Sequence, residues 1–273
     1  NNGCLCCTVQ EDFLPTMEML LSRSDELDGI IIETSGLALP RPLLQALSWP
    51  AVRSRVHLNG VVTVVDGEAL NNGSPIGDTT SYEKQRDNDE SIDHLTPLDE
   101  LFADQLSVAD LVLVSRADSI STSSINKIQL DLSNKVRMAT PILPISHGEI
   151  EPSIVLGLEH KDDSNSQEDH HDDHHHLKVL SSNVRIEVDI EKENLENVLS
   201  RLVSKYQILR LKGRCWLPGK TLPLQIQMVG PRLSTWYEDV PKTAWKPKKN
   251  GLDLVILSFQ EGAADSISKA FEN

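Results

Sequence analysis

Four short apolar runs, at residues 30–32, 61–65, 111–114 and 142–145, recur along the first half of this chain, and each ends on a polar loop. A run without alternation suits a strand buried on both faces of a parallel sheet, because successive side chains point to opposite, helix-covered faces. Between the runs, residues 11–23, 43–47, 97–109 and 123–135 carry apolar side chains at helical spacing, as Phe13, Met17, Leu20 and Leu21 do. Strands alternating with helices in this way predict a doubly wound parallel α/β domain. Ligands in such folds bind beyond the carboxyl ends of the strands. Those ends carry Glu33, Asp66, Asp118 and His147.

The pattern then changes. Residues 159–176 read EHKDDSNSQEDHHDDHHH, with six histidines, seven acids and almost nothing apolar. Such a segment cannot bury enough surface to fold and reads as a solvated linker. Beyond it, strands are expected over 184–190, 208–216, 222–229 and 252–259, with helices over 191–206 and 263–271. Strands grouped around two helices predict a small α+β domain with an antiparallel sheet. The expected division is therefore 1–158, a linker at 159–181, and 182–273.

Charge and cysteine usage narrow the function. The net charge of -15 is split as -13 over residues 1–158, -5 over 159–181 and +3 over 182–273. An acidic first half argues against nonspecific nucleic-acid binding, which needs lysine and arginine on one face. No apolar run approaches roughly 18 residues and no signal-peptide or lipidation pattern occurs, so no membrane partner is expected. Cys215 stands far from the other three cysteines. With no disulfide framework legible, a reducing, cytoplasmic setting is expected.

Cys4, Cys6 and Cys7 crowd into the opening run NNGCLCC. Thiols this close cannot all pair in a relaxed loop, given disulfide geometry. They can turn toward one soft cation such as zinc, copper(I) or cobalt(II). His170, His171, His174, His175 and His176 add a weak accessory metal-gathering capacity. The run Glu33-Thr34-Ser35-Gly36 ends a strand with an acid that could polarise water near magnesium and a glycine open to a γ-phosphate. Asp118, in Ser115-Arg116-Ala117-Asp118, could accept from N1 and N2 of guanine; a helix N-cap or turn residue is the competing reading.

In this order, NNGCLCCTV, IIIETSGLALP, VVTVVDG and QLSVADLVLVSRAD resemble the CobW/HypB/UreG group of metal-chaperone GTPases. ILRLKGRCWLPG and PLQIQMVG resemble the small CobW C-terminal domain, and DESIDHLTPLDELFADQL resembles the cobalamin-pathway members. The resemblance implies a P-loop GTPase fold and a GTP-dependent metallochaperone. Cys4, Cys6 and Cys7 would hold the cargo, with cobalt(II) the first choice and zinc the second. Glu33 and Gly36 would form the magnesium and γ-phosphate switch. Ser115, Arg116, Asp118 and His147 would lie at the base of GTP. A metal-acceptor protein is implied, a cobaltochelatase among the candidates.

Two departures from the family stand out. Its usual Asn-Lys-x-Asp is Ser115-Arg116-Ala117-Asp118 here, which loosens base recognition. No GxxxxGK[ST] phosphate loop occurs. The first strand and that loop are therefore expected upstream of Asn1, and the stretch from Asn1 alone is expected to bind nucleotide poorly and to be inactive. Three rival readings stay open: a nucleotide-independent metal store, an interaction module docking a metalloenzyme, and an adenine-nucleotide enzyme.

Overall fold

A computed structural model describes residues 13–74, 97–157, 179–241 and 244–272. These divide into two units, one reaching Arg137 and including Ile142–Gly148, the other formed by Met138–Pro141 and the chain from Glu149 onward.

In the first unit, β1 (Val62–Asp66), β2 (Leu111–Ser115) and β3 (Ile142–Pro144) form a parallel sheet in the order β1-β2-β3. Leu111, Val112, Leu113 and Val114 are all buried, as a central parallel strand requires. The helices Leu98–Val108 and Thr122–Ser133 supply Phe102, Leu106, Ile128 and Leu132 to a core shared with Val65, Val112 and Val114. A polar pin closes the other end of the sheet. The fully buried Asp110 accepts from the Val61 N–H at 2.8 Å and pairs with Arg137.

One expectation fails here. Residues 30–32 form no strand, and among the described residues β1 has no partner on its outer side. Ile31 is 81% exposed and Val64 on β1 is 62% exposed. Only Ile30 finds apolar company, against the cluster of Met17, Leu21 and Val52. An apolar run becomes a parallel strand only when a neighbour supplies hydrogen bonds and helices cover both faces. Residues 30–32 have neither in this arrangement.

The second unit is an antiparallel sheet in the order β4-β8-β5-β6-β7, comprising β4 (Leu180–Ile186), β5 (Ile208–Trp216), β6 (Leu224–Val229), β7 (Arg232–Tyr237) and β8 (Gly251–Ser258). The helices Lys192–Tyr206 and Ala263–Glu272 share one core with it. Leu195, Val198, Leu199, Leu202 and Val203 recur at helical spacing and meet Leu211, Ile226, Leu252 and Leu254 there. Two corrections apply. The first strand lies at Leu180–Ile186 rather than 184–190, and β7 escaped sequence reading. A two-residue turn joins β6 to β7, with Val229 paired to Arg232 and Gly230 at φ 47°, a conformation that suits glycine. Every residue of β7 from Arg232 to Trp236 is half-buried, so no alternation announces the strand. Among the described residues, no helix is long and apolar enough to cross a membrane.

Candidate functional site

The carboxyl ends of β1, β2 and β3 bring most of the expected nucleotide-site residues to one edge. At β1, Asp66 caps the helix Gly67–Asn71, its Oδ1 accepting from the Ala69 N–H at 3.1 Å. Gly67 makes this corner possible, since a Cβ there would sit 2.6 Å from the Ser115 carbonyl oxygen. β1 can therefore turn into its helix in contact with the end of β2.

At β2, Ser115 donates its hydroxyl to the Val65 carbonyl at 2.9 Å, so the side chain knits two strands together. Arg116 then takes the left-handed conformation, with φ 53°. Its guanidinium forks between two carboxylates, Nη2 donating to Asp66 Oδ2 at 2.5 Å and Nη1 to Glu68 Oε2 at 2.7 Å. The Glu68 hydrogen bond and then the Asp66 charge raise the Arg116 pKa above the ordinary guanidinium value. Next, the Ala117 N–H donates to the Ile145 carbonyl at 3.1 Å, which ties this turn to the end of β3.

Asp118 lies in the 3-10 turn Ala117–Ser119, and its Oδ2 is 3.7 Å from Nε2 of His147, which follows β3. Of the two competing readings for Asp118, a turn residue fits this placement and a helix N-cap does not. Ser121 caps the next helix instead, accepting from the Ser124 N–H at 3.2 Å. Asp118 is thus a carboxylate at a strand end with the His147 imidazole beside it. Such a group can accept a pair of N–H donors from a planar ring.

Glu33 and Gly36 sit elsewhere on this unit. Glu33 is exposed in an irregular segment. Gly36 belongs to a turn in which the Ala38 N–H donates to the Ser35 carbonyl at 3.0 Å. Gln105, on the helix Leu98–Val108, holds this turn by donating Nε2 to the Gly36 carbonyl at 2.9 Å and to the Ala38 carbonyl at 3.2 Å. Beneath it, buried Leu37 packs against Leu101. Among the described residues, no hydrogen bond or ion pair joins Glu33 or Gly36 to Asp118 or His147. Sequence reading placed Asp66 at a strand end without its partners and missed Gln105 and Glu68. A helical glutamine and two acids after a strand carry no local signal of the groups they meet.

The metal residues are a separate matter. Cys4, Cys6, Cys7, His170, His171, His174, His175 and His176 lie outside the described residues. Among the described ones, no group of three or more His, Cys, Asp or Glu could hold a metal ion. Cys215 is buried in the core of the second unit, and burial pushes its thiol up to about 12, so it acts as a small apolar residue.

Residues 1–144 match the family described as CobW/HypB/UreG, nucleotide-binding domain, and residues 180–273 match the cobalamin synthesis protein cobW C-terminal domain. The chain is 36% identical over 270 residues to a protein named Zinc chaperone CobW from Sinorhizobium sp, covering 95% of this chain and 75% of that one. It is 39% identical over 243 residues to a Zinc chaperone CobW from Pseudomonas aeruginosa, covering 87% of this chain and 65% of that one. A Zinc-regulated GTPase metalloprotein activator 1 from Schizosaccharomyces pombe is 28% identical over 169 residues, which cover 61% of this chain and 36% of that protein.

Proposed function

The chain belongs to the CobW/HypB/UreG family, and from that premise we propose that the protein is a GTP-dependent metallochaperone whose cargo is zinc. The observation that carries the nucleotide half is the Asp118 carboxylate, beside His147 at the strand ends and free of any capping duty. Guanine offers N1–H and N2–H side by side, whereas adenine has no such pair of donors. Asp118 would accept both, and His147 would flank the same ring.

Glu33 and Gly36 would face the γ-phosphate end. Magnesium in nucleotide sites needs one or two carboxylates besides phosphate oxygens. Exposed Glu33 fits that requirement, and it would hold the ion or the water on it. The Gly36 turn would move with the γ-phosphate against its anchor on Gln105 and Leu101. Cys4, Cys6 and Cys7 would present thiolates to the cargo while GTP is bound, and hydrolysis would release it to an acceptor protein. His170, His171, His174, His175 and His176 would raise the local metal concentration. We place this work in the cytoplasm, with 1–158 as the nucleotide and metal domain and 182–273 as the C-terminal domain.

The choice of zinc follows the bacterial relatives, both named zinc chaperones. Cobalt and a cobaltochelatase acceptor have only the run at 90–106 behind them. Thiolates accept either ion.

Coupling between the two sites is reciprocal, so nucleotide and metal must strengthen each other equally. In the intact protein, zinc affinity measured by competition with a chromogenic chelator should be about fivefold or more tighter with a non-hydrolysable GTP analogue than with GDP. Cys6→Ser/Cys7→Ser should abolish that tight site. Equal zinc affinity in both nucleotide states would refute the proposal.

A further inference from the structure

Arg116 and Asp118 diverge at the end of β2, and the divergence has a cause. The guanidinium turns toward the β1 corner, where Asp66 and Glu68 take one nitrogen each. The Asp118 carboxylate turns toward the β3 corner, where His147 lies. Because β2 separates β1 from β3, the charge of Arg116 is drawn away from the side where Asp118 waits. The left-handed turn at Arg116 and the close approach allowed by Gly67 build this divergence into the backbone.

We propose that Asp66 and Glu68 are positioning residues for the nucleotide base, holding Arg116 so that its methylene stem, not its guanidinium, lies along the ring. The inference rests on the guanine reading of Asp118. Left alone, a guanidinium beside guanine would fork onto O6 and N7, as arginine does elsewhere. Here both outer nitrogens are already engaged, and the Ser115 hydroxyl is turned into the sheet toward Val65. Base identity is then read by Asp118 at N1 and N2, while the stem of Arg116 supplies a base-independent wall. The fork is half-exposed, and exposed ion pairs add little stability. Its effect lies in where Arg116 is held.

Glu68 is the cleaner residue to alter, because Asp66 also caps a helix. The test is equilibrium binding of GDP, 7-deaza-GDP and ADP to the intact protein, with Glu68→Ala, Arg116→Ala, both together, and Asp118→Asn. Glu68→Ala should weaken 7-deaza-GDP by roughly two- to fivefold and GDP by less, because the released guanidinium can fork onto O6 and N7 of GDP but finds no N7 acceptor in 7-deaza-GDP. It should add nothing once Arg116 is alanine, since coupled residues are non-additive. Unaltered chain should bind 7-deaza-GDP as well as GDP, because Arg116 and Ser115 are both turned to other partners and away from N7. The GDP-over-ADP preference should fall only in Asp118→Asn.

Glu68→Gln, which keeps an acceptor without the charge, should fall between Glu68→Ala and the unaltered chain. Unchanged or tighter 7-deaza-GDP binding in Glu68→Ala, or additive losses in the double variant, would overturn the positioning role. If Asp118→Asn leaves the GDP-over-ADP preference intact, the guanine reading itself fails, and the proposal with it.

Discussion

The two units bury their apolar residues to very different degrees. In the antiparallel unit, Leu252, Leu254, Ile256 and Leu257 of β8 are all buried, and its neighbour β5 is nearly as enclosed. In the parallel unit the same kind of enclosure stops at β2, and apolar side chains on and near β1 face outward. The antiparallel sheet answers to its own two helices, and β8 returns from far along the chain to pair between β4 and β5. A parallel sheet depends on crossovers and on cover from both faces. The parallel unit accordingly leans on polar pins: Asp110 with Arg137 at one end of the sheet, Arg116 with Asp66 and Glu68 at the other, and Gln105 on the Gly36 turn.

Four tests sharpen or break this contrast. The largest effect belongs to the antiparallel core. Leu252→Ala, at a fully buried site, should cost about 2–5 kcal/mol in urea unfolding, whereas Ile31→Ala should stay within about 0.5 kcal/mol. A comparable loss at Ile31 would erase the distinction between the units. Next comes the pin in the parallel unit. Asp110→Ala removes the buried partner of Arg137 and of the Val61 N–H and should cost about 3 kcal/mol.

The third comparison separates cap from site within a few residues. Ser121→Ala should cost about 1 kcal/mol through loss of the helix cap. Asp118→Ala should leave stability within about 0.5 kcal/mol while guanine-nucleotide binding is lost. Equal destabilisation by the two would restore the capping role to Asp118.

The smallest effect at neutral pH concerns Cys215. Burial raises its folded thiol pKa from 9.0 to about 12. The sign follows from linkage: a raised folded pKa contributes stability fully present below pH 9 and lost as pH climbs toward 12. Alkylation at pH 8 should spare Cys215 in the folded protein. The stability difference between the unaltered chain and Cys215→Ala should stay flat to pH 9 and shrink above it. A difference that stays flat from pH 9 to 12 would mean the thiol is less enclosed than its place between Leu224 and Leu252 implies.

Much of the architecture was legible because periodicity is a local property. Strand β5 and the long helix after residue 191 follow from side-chain spacing alone, and so does the placing of Asp118 and His147 at strand ends. Residues 30–32 show the limit. Three consecutive isoleucines specify a wish to be buried, but not the neighbour that would oblige, and here they form no strand. β7 shows the reverse, a segment without alternation that pairs because Gly230 turns the chain back on β6.

The amino-acid order alone singled out the candidate residues: a carboxylate after β2, an imidazole after β3, an acid and a glycine after residue 32, and the cysteines at the start. Tertiary structure alone decided their company. That Ser121, not Asp118, caps a helix, that Arg116 is claimed by Asp66 and Glu68 some 50 positions earlier, and that Gln105 holds the Gly36 turn are pairings between distant parts of the chain. Hydrogen-bond partners are chosen by backbone approach, and spacing along one strand or helix contains no information about which other element will arrive beside it.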